Sequence, residues 1–264
     1  MESLKDILIP ELYQAGKIIL SAHDVENGEG NVKVKPGDAN FVTVFDVRVQ
    51  EFLIDKMKHI FPNAVFFAEE KENSADDLNE EYCFIIEPID GTANFMREYR
   101  RSSISIAIVS RGEAIFGAVY DPYLNELFYA EKGKGAFLND GQINVSSRPM
   151  NVAIAAMGTA PYYKKELGDA TFGIGRELYD LGADMRRAGS AAIDLCYVAA
   201  GRHDLFFEMR LSPWDFAAAQ LIVKEAGGFV SDIYGKAVDL SKPCPVIAAN
   251  KKIYGILLEV TKKY

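Results

Sequence analysis

Five short apolar or alternating segments constrain the fold of this chain more than any other feature of its sequence. They cover residues 64–68, 82–86, 103–109, 114–120 and 126–130, and turn-forming residues separate them. Runs of this length and pattern are typical of β-strands that pack into a sheet. The spacing therefore predicts a central sheet in the first half of the chain.

Helical patterns precede this sheet, and helices alternate with strands after it. Apolar residues recur at helical spacing from Leu4 to Ile19 and from Val47 to Ile60, which predicts one helix in each segment. We predict further helices at 173–181, 191–200, 213–226 and 251–262, and extended segments at 32–35, 152–157, 204–208, 229–232 and 245–249. This alternation favours a layered α/β (α+β) architecture, and because no linker or repeat interrupts it, we expect one domain over residues 1–264.

Composition excludes several classes of protein. The 264 residues are 49% hydrophobic and 25% charged, which is typical of a globular chain. No run of about 18 apolar residues occurs, and the N-terminus lacks the layout of a signal peptide, so we expect a soluble cytoplasmic protein without a membrane partner. The three cysteines are odd in number and lie in apolar stretches, which favours reduced thiols over disulfides or a zinc site.

The formal net charge of −9 argues against nucleic acid as the main ligand, since binding a phosphate backbone needs clustered Lys and Arg. An anionic substrate would need bound cations to reverse the local charge of a carboxylate pocket.

Two acids follow directly on the predicted strand at 82–86. Pro88 is expected to end the strand, and Gly91 permits close backbone approach, so Glu87, the Ile89 carbonyl and Asp90 would converge. Such oxygen-only clusters suit Mg²⁺. The alternative is an ordinary strand-to-helix turn in which Asp90 is the N-cap.

Other acids occupy comparable positions. Asp215 lies in the first turn of a helix that Pro213 would begin, Glu69 ends an apolar strand, and Asp46 stands at the start of the second helix. Each of them alone has a structural explanation as a helix-terminal or loop acid. Their grouping at strand ends favours a ligand site, because ligands collect at the carboxyl ends of strands in open α/β sheets.

These segments together resemble the inositol monophosphatase family. The matching segments are Val42–Asp46, Ala68–Glu70, Glu87–Phe95 and Trp214–Ala219, the last continuing to Glu225–Gly228. The third matches the family's Asp-Pro-Ile-Asp-Gly-Thr-x-Asn-Phe except that Glu87 replaces its first Asp. The resemblance covers nearly the whole chain, and four motifs in the right order make it highly specific.

The resemblance implies a layered αβαβα sandwich of the inositol monophosphatase and fructose-1,6-bisphosphatase type. The metal-site half would cover about residues 1–147 and the substrate-site half about 148–264. Family members commonly form homodimers and are commonly inhibited by lithium.

The same resemblance assigns residue roles. Glu69, Glu87, Asp90, Asp215 and the Ile89 carbonyl would hold about two or three Mg²⁺ ions. The residues expected to act in catalysis are Asp46, Thr92 and Glu69, the first two by orienting the attacking water. The residues expected to bind substrate are Gly91, Thr92, Gly189, Ser190, Ala191 and Glu208.

Hydrolysis of inositol monophosphate or a similar polyol phosphate is the function that the resemblance implies. Fructose 1,6-bisphosphate, a nucleotide 3′-phosphate and histidinol phosphate remain as alternative substrates. The longer side chain of Glu87 would alter metal preference or turnover, and it motivates a different hypothesis, a weakly active scaffold that regulates a partner protein. The segment Met96–Arg101 would line or cover the substrate pocket.

Overall fold

The computed structural model describes residues 3–28, 30–36 and 40–264. Its helices are α1 (Leu4–Leu20), α2 (Val44–Ile60), α3 (Thr92–Met96), α4 (Lys164–Asp180), α5 (Ala191–Ala199), α6 (Pro213–Glu225) and α7 (Tyr254–Thr261). Short 3-10 helices lie at Ala75–Asn79, Met150–Val152 and Pro161–Tyr163.

The strands alternate with these helices along the chain. In the first half they are β1 (Val32–Val34), β2 (Phe41–Thr43), β3 (Val65–Ala68), β4 (Cys83–Asp90), β5 (Ser103–Ser110), β6 (Glu113–Asp121), β7 (Glu126–Glu131), β8 (Ala136–Leu138) and β9 (Gly141–Ile143). In the second half they are β10 (Ile154–Met157), β11 (Asp184–Arg186), β12 (Leu205–Leu211), β13 (Phe229–Ser231) and β14 (Cys244–Ala249).

Two large sheets and a hairpin result. The first large sheet has the order β3-β4-β5-β6-β7-β8-β9, with β3 and β4 parallel and every later pair antiparallel. The second has the order β11-β10-β12-β14-β13, in which β10 is parallel to both of its neighbours. Strands β1 and β2 form a separate antiparallel hairpin.

The side chains of each central strand point alternately into two different cores. On β4, Phe84 and Ile86 pack with α1 and α2, whereas Cys83 and Ile85 belong to the core that contains α5 and α6. On β14, Val246 packs into the core that contains α5 and α6. The opposite face of β14 packs into a third core with α4 and α7. Because strand side chains alternate between faces, the layers are α1/α2, sheet, α5/α6, sheet and α4/α7. The expected αβαβα sandwich is confirmed.

Close packing places α6, which carries Asp215, against the first sheet. A Cβ on Gly117 of β6 would lie 2.6 Å from the carbonyl oxygen of Ala218 on α6. Real Cβ atoms do not approach a backbone oxygen so closely, so a side chain at this position would push the helix away from the sheet. The absence of a side chain at Gly117 thus helps to set the position of Asp215.

Several element boundaries differ from the sequence-based expectations. The predicted end of the strand at Pro88 is wrong, because β4 continues to Asp90 with a shift of register between Glu87 and Asp90. Proline is tolerated at such an irregularity, where its missing N–H breaks no ladder hydrogen bond. Helix α4 begins at Lys164 rather than near residue 173. Residues 71–81, for which the sequence predicted no element, contain a 3-10 helix whose Leu78 is buried.

The three cysteines were expected to be reduced thiols. Cys83, Cys196 and Cys244 are all free, and the first two are buried. Among the described residues, no helix is both long and apolar enough to cross a membrane.

Candidate active site

Four acidic side chains from three parts of the fold line a single cleft. Glu87 and Asp90 lie at the carboxyl end of β4, Glu69 follows the parallel neighbour β3, and Asp215 lies in the first turn of α6. The cleft has a volume of about 520 Å³ and includes Ile89. The structure therefore brings together every residue that the sequence predicted as a metal ligand.

The start of α6 fixes Asp215. Its Oδ2 accepts a hydrogen bond of 2.7 Å from the backbone N–H of Ser212, the N-cap residue, which completes a capping box. Pro213 occupies the first turn, where its lack of an N–H costs nothing. One carboxylate oxygen thus anchors the helix end, and the other remains available to the cleft.

Residues in the second half of the chain hold the Asp90 side chain in place. Its Oδ2 accepts hydrogen bonds from the Ser190 hydroxyl and, at 2.9 Å, from the backbone N–H of Ala192 in α5. The alternative role as the N-cap of the next helix is wrong, because Gly91 is the N-cap of α3. Asp90 instead connects the predicted metal site to the predicted substrate segment.

Gly91 permits this junction. Its φ of 87° lies in the left-handed region that favours glycine. A Cβ at this position would lie 2.9 Å from the carbonyl oxygen of Gly189 and 3.0 Å from that of Arg101. Both the conformation and the space therefore require glycine.

Asp46 and Thr92 meet at the edge of this group. The Thr92 hydroxyl lies 3.3 Å from Asp46 Oδ1 and 3.1 Å from the Ile89 carbonyl oxygen. Asp46 Oδ2 accepts the backbone N–H of Thr43 at 2.8 Å and so caps α2. Burial raises the pKa of Asp46 to about 7. The pair predicted to orient water is in hydrogen-bond contact, although no residue of α2 itself lines the cleft.

Burial, together with the charges of neighbouring carboxylates, governs the electrostatics of the predicted metal ligands. Burial, followed by the negative charges of Glu69, Asp215 and Asp90, raises the pKa of Glu87 well above its ordinary value. Burial and neighbouring carboxylates likewise raise the pKa of Asp215, and burial raises that of Asp90 to about 6. A bound cation would favour the ionised form of these neighbouring carboxylates, and their oxygen-only chemistry fits Mg²⁺.

A second group of acids adjoins the first. Asp46, Glu69 and Glu70 each offer a carboxylate oxygen within 4.8 Å of the other two. The ammonium of Lys35 lies 2.9 Å from Glu69 Oε1 and also contacts Glu70 Oε1. Glu69 belongs to both groups and connects them. The roles of Glu70 and Lys35 were not predicted, although Glu70 stands in the same motif as Glu69.

The predicted substrate-binding residues line the same cleft. They are Gly91, Thr92, Gly189, Ser190, Ala191 and Glu208. Glu208 Oε1 accepts a hydrogen bond of 2.9 Å from the N–H of Ala160. Gly158 makes room for this carboxylate, since a Cβ there would lie 1.9 Å from Glu208 Oε2. Burial raises the pKa of Glu208 to about 7.

Sequence reasoning missed one buried acid in the cleft. Asp194 lies in the first turn of α5, burial raises its pKa to about 7, and its Oδ1 has no hydrogen-bond partner. The signal was present, because residues four apart share a helix face and Asp194 follows Ser190 by four.

The segment Met96–Arg101 does not line the cleft. The Arg101 side chain turns elsewhere and donates a hydrogen bond of 2.9 Å to the Tyr197 hydroxyl. The expectation that this segment lines the pocket is therefore wrong, and the alternative that it covers the pocket stays a prediction.

Sequence comparison places this cleft in a known context. Residues 1–264 match the inositol monophosphatase family. Nus factor SuhB of Escherichia coli (strain K12) is 37% identical over 236 residues, which cover 89% of this chain and 87% of that protein.

Solved structures of related proteins also match the fold of this chain. The extragenic suppressor protein suhB of Bartonella henselae superposes with a TM-score of 0.90 at 33% identity and covers 99% of both chains. A Thermotoga maritima IMPase gives a TM-score of 0.86 at 34% identity, covering 98% of this chain and 96% of that one.

Proposed function

Because the chain belongs to the inositol monophosphatase family, we propose that it is a Mg²⁺-dependent phosphatase that hydrolyses a small polyol phosphate monoester. The observation that carries this proposal is the meeting of Glu69, Glu87, Asp90 and Asp215 in one cleft. Burial raises the pKa of Glu87, Asp90 and Asp215, and acids in such a setting are costly to keep together unless they bind cations.

These four acids and the Ile89 carbonyl would hold the metal. Bound Mg²⁺ supplies Lewis-acid stabilisation of charge on the phosphate and lowers the pKa of a water molecule. Glu87 fits this role with a longer reach than the usual Asp. Its carboxyl is buried with 2% exposure, so the extra methylene lies inside the site and not in solvent.

Thr92 and Asp46 would position the attacking water. When the Thr92 hydroxyl donates its hydrogen to Asp46 Oδ1, its lone pairs are free to accept a hydrogen bond from water. Because Asp46 Oδ1 and the Ile89 carbonyl oxygen both lie within reach of the hydroxyl hydrogen, Thr92 would present its lone pairs to the water.

Glu208 and the segment 189–191 would bind the polyol. Glu208 retains acceptor capacity beyond its bond to Ala160, and the hydroxyl groups of a polyol are matching donors. Fructose 1,6-bisphosphate and nucleotide 3′-phosphates remain alternative substrates of the same chemistry.

Phosphate release tests the proposal. We would assay inositol 1-phosphate, fructose 1,6-bisphosphate and adenosine 3′,5′-bisphosphate with Mg²⁺ and with EDTA. We expect Mg²⁺-dependent release from at least one of them. Absence of release from all three in the presence of Mg²⁺ would contradict the proposed activity.

The names of relatives motivate a second candidate function. Relatives from Escherichia coli and Vibrio cholerae are called Nus factor SuhB, and they are 37% and 38% identical to this chain. The corresponding role would be regulation of a partner protein through the surface of the fold. Specific co-purification of a partner, unchanged when Asp90 is replaced by Asn, would support this second function as independent of the cleft. Lithium inhibition, a homodimer, cytoplasmic location and lack of nucleic-acid binding stay predictions.

A further inference from the structure

The side chain of Asn94 connects two parts of the cleft that lie far apart in the sequence. Its Nδ2 donates hydrogen bonds of 2.8 Å to the carbonyl oxygen of Arg101 and of 2.9 Å to that of Ala188. Ala188 lies 94 residues further along the chain, immediately before the segment 189–191 that is expected to bind substrate. A single amide group therefore connects the first half of the chain to the second.

The chemistry of this amide suits it to holding the protein and not the ligand. A side-chain amide nitrogen carries two hydrogens, and both are used by the two backbone carbonyls. Asn94 lines the cleft, but it has no N–H left to donate to a phosphate. An ionised aspartate in its place would have no donor, and a serine or threonine would have one. Asparagine is therefore the side chain of this size that can bind both carbonyls at once.

The backbone around Asn94 gives the amide a fixed position. Its N–H donates a hydrogen bond of 2.9 Å to the Gly91 carbonyl in the first turn of α3, and its own carbonyl accepts the N–H of Tyr99 at 2.9 Å. Between Asn94 and Arg101, Glu98 and Arg100 have φ values of 51° and 56°. Side chains with a Cβ rarely adopt this left-handed conformation, so the hydrogen bonds of Asn94 help to hold an unfavourable turn.

Two glycines leave room for the amide between the segments that they belong to. A Cβ on Gly189 would lie 3.2 Å from Asn94 Nδ2, and a Cβ on Gly91 would lie 3.5 Å from it. The same Cβ on Gly91 would lie 2.9 Å from the Gly189 carbonyl oxygen. The two segments thus pack closely against each other, and the Asn94 amide lies beside both.

The spacing of these segments matters because both are expected to contact one small molecule. Gly91 and Thr92 would bind substrate from one side, and residues 189–191 would bind it from the other. We propose that Asn94 is a positioning residue, whose two hydrogen bonds set the distance between these segments so that both contact the same substrate. A misplacement of about 1 Å at such a site can cost about a hundredfold in rate. This inference rests on the proposed phosphatase function.

Two variants remove the amide donors in different ways. Asn94→Leu removes them without adding a charge, and Asn94→Asp keeps the shape but has no N–H to donate. In both we expect KM for the best substrate to rise about tenfold or more, with kcat falling less than about tenfold. In Asn94→Leu the Mg²⁺ concentration for half activity should change less than about threefold. A rise of KM in Asn94→Asp alone would assign the effect to the added charge and would overturn the proposal.

Asn250 provides a control for loss of stability. Its Nδ2 also donates two hydrogen bonds, of 2.9 Å to the Ser146 hydroxyl and 3.1 Å to the Arg148 carbonyl oxygen, and it is buried outside the cleft. Asn250→Asp should lower the melting temperature at least as much as the Asn94 variants do, yet keep KM within about twofold of the parent. A similar rise of KM in Asn250→Asp would mean that general destabilisation explains the result, and this would contradict a positioning role for Asn94.

A binding measurement separates this inference from the proposed activity. Trp214 is the only tryptophan and lines the cleft, so its fluorescence should report binding of inositol 1-phosphate with Ca²⁺ in place of Mg²⁺. We expect about tenfold weaker binding in Asn94→Leu than in Asn250→Asp. If no substrate releases phosphate but this difference is found, the positioning role is supported and the phosphatase activity fails. If phosphate is released and the two variants bind equally, only the inference fails.

Discussion

The two ends of the cleft are built in different ways. The metal end consists of Glu69, Glu87, Asp90 and Asp215, which lie at strand ends and a helix start in contiguous motifs. The substrate end brings together residues 158–163, 187–191 and 208–210, which only the tertiary fold places side by side. The metal end repels itself electrostatically, whereas the substrate end mixes acids with arginines. Metal binding should therefore depend on the residues of the metal end, and the choice of substrate should depend on the residues of the substrate end.

The largest expected effect comes from the metal end. Asp90→Asn keeps the size of the side chain and removes a charge from the four carboxylates. We expect kcat for the best substrate to fall about a thousandfold or more, since metal catalysis contributes several kcal/mol and each tenfold is about 1.4 kcal/mol. Asp180→Asn is the control, because Asp180 pairs with Arg176 on the surface of α4. A fall in kcat of less than about threefold in Asp90→Asn would contradict the assignment of Asp90 to the metal site.

Thr92→Val tests the water-positioning pair apart from the metal. The substitution keeps the shape and removes the hydroxyl that contacts Asp46. We expect kcat to fall about a hundredfold, within the range for positioning and general-base effects, with the Mg²⁺ concentration for half activity changed less than about threefold. Thr92→Ser should recover most of the activity. Failure of serine to do so would indicate that the methyl group and not the hydroxyl matters.

The stability of the folded state should change with pH, and Mg²⁺ should alter this pH dependence through the metal end of the cleft. The pKa values of Asp90, about 6, and Glu208, about 7, lie above the ordinary values of about 3.9 and 4.3. The folded state therefore binds more protons than the unfolded state, so without metal the stability falls as pH rises from about 4 to 7. Mg²⁺ should reverse this trend, because it displaces protons from the metal end and stabilises the folded state more at pH 8 than at pH 6.

The melting temperatures of two variants separate the contributions. At pH 8 with EDTA, both Asp90→Asn and Glu208→Gln should melt a few degrees above the parent, since each removes a buried charge. With Mg²⁺, only Glu208→Gln should keep its advantage, because Asp90→Asn loses the stabilisation by metal. Equal responses of the two variants to Mg²⁺ would contradict the division of the cleft into two ends.

The smallest expected effect concerns Glu87. Glu87→Asp restores the family's usual residue but shortens a buried side chain that the surroundings fit. We expect the Mg²⁺ concentration for half activity to change about three- to tenfold, with kcat within about tenfold of the parent. An unchanged metal dependence would show that the extra methylene has no role in metal binding.

The two ends also differ in how far the sequence predicted them. The metal ligands were predictable because they lie in contiguous motifs at strand ends and a helix start, and because those motifs resemble the inositol monophosphatase family. Arg187, Arg210 and Tyr163 were not, because their meeting depends on the order of strands in the second sheet and on a 3-10 helix of three residues. Asp194 was missed although its spacing from Ser190 on α5 pointed to it.

Local chemistry explains the errors in the fold as well. Pro88 was expected to end a strand, but a register shift accommodates it inside β4. The first turns of α4 contain Lys164, Lys165 and Glu166, so their polar composition concealed the start of the helix. Strands of three residues, such as β8, β9 and β11, are too short for periodicity to reveal.

The most direct test of the metal end is calorimetric titration of Mg²⁺ into EDTA-treated, dialysed protein at pH 8. The account predicts saturable binding to the parent and to Asp180→Asn, and binding at least about tenfold weaker to Asp215→Asn. Absence of binding to the parent, or equal binding to parent and Asp215→Asn, would contradict the claim that these converging carboxylates form a Mg²⁺ site.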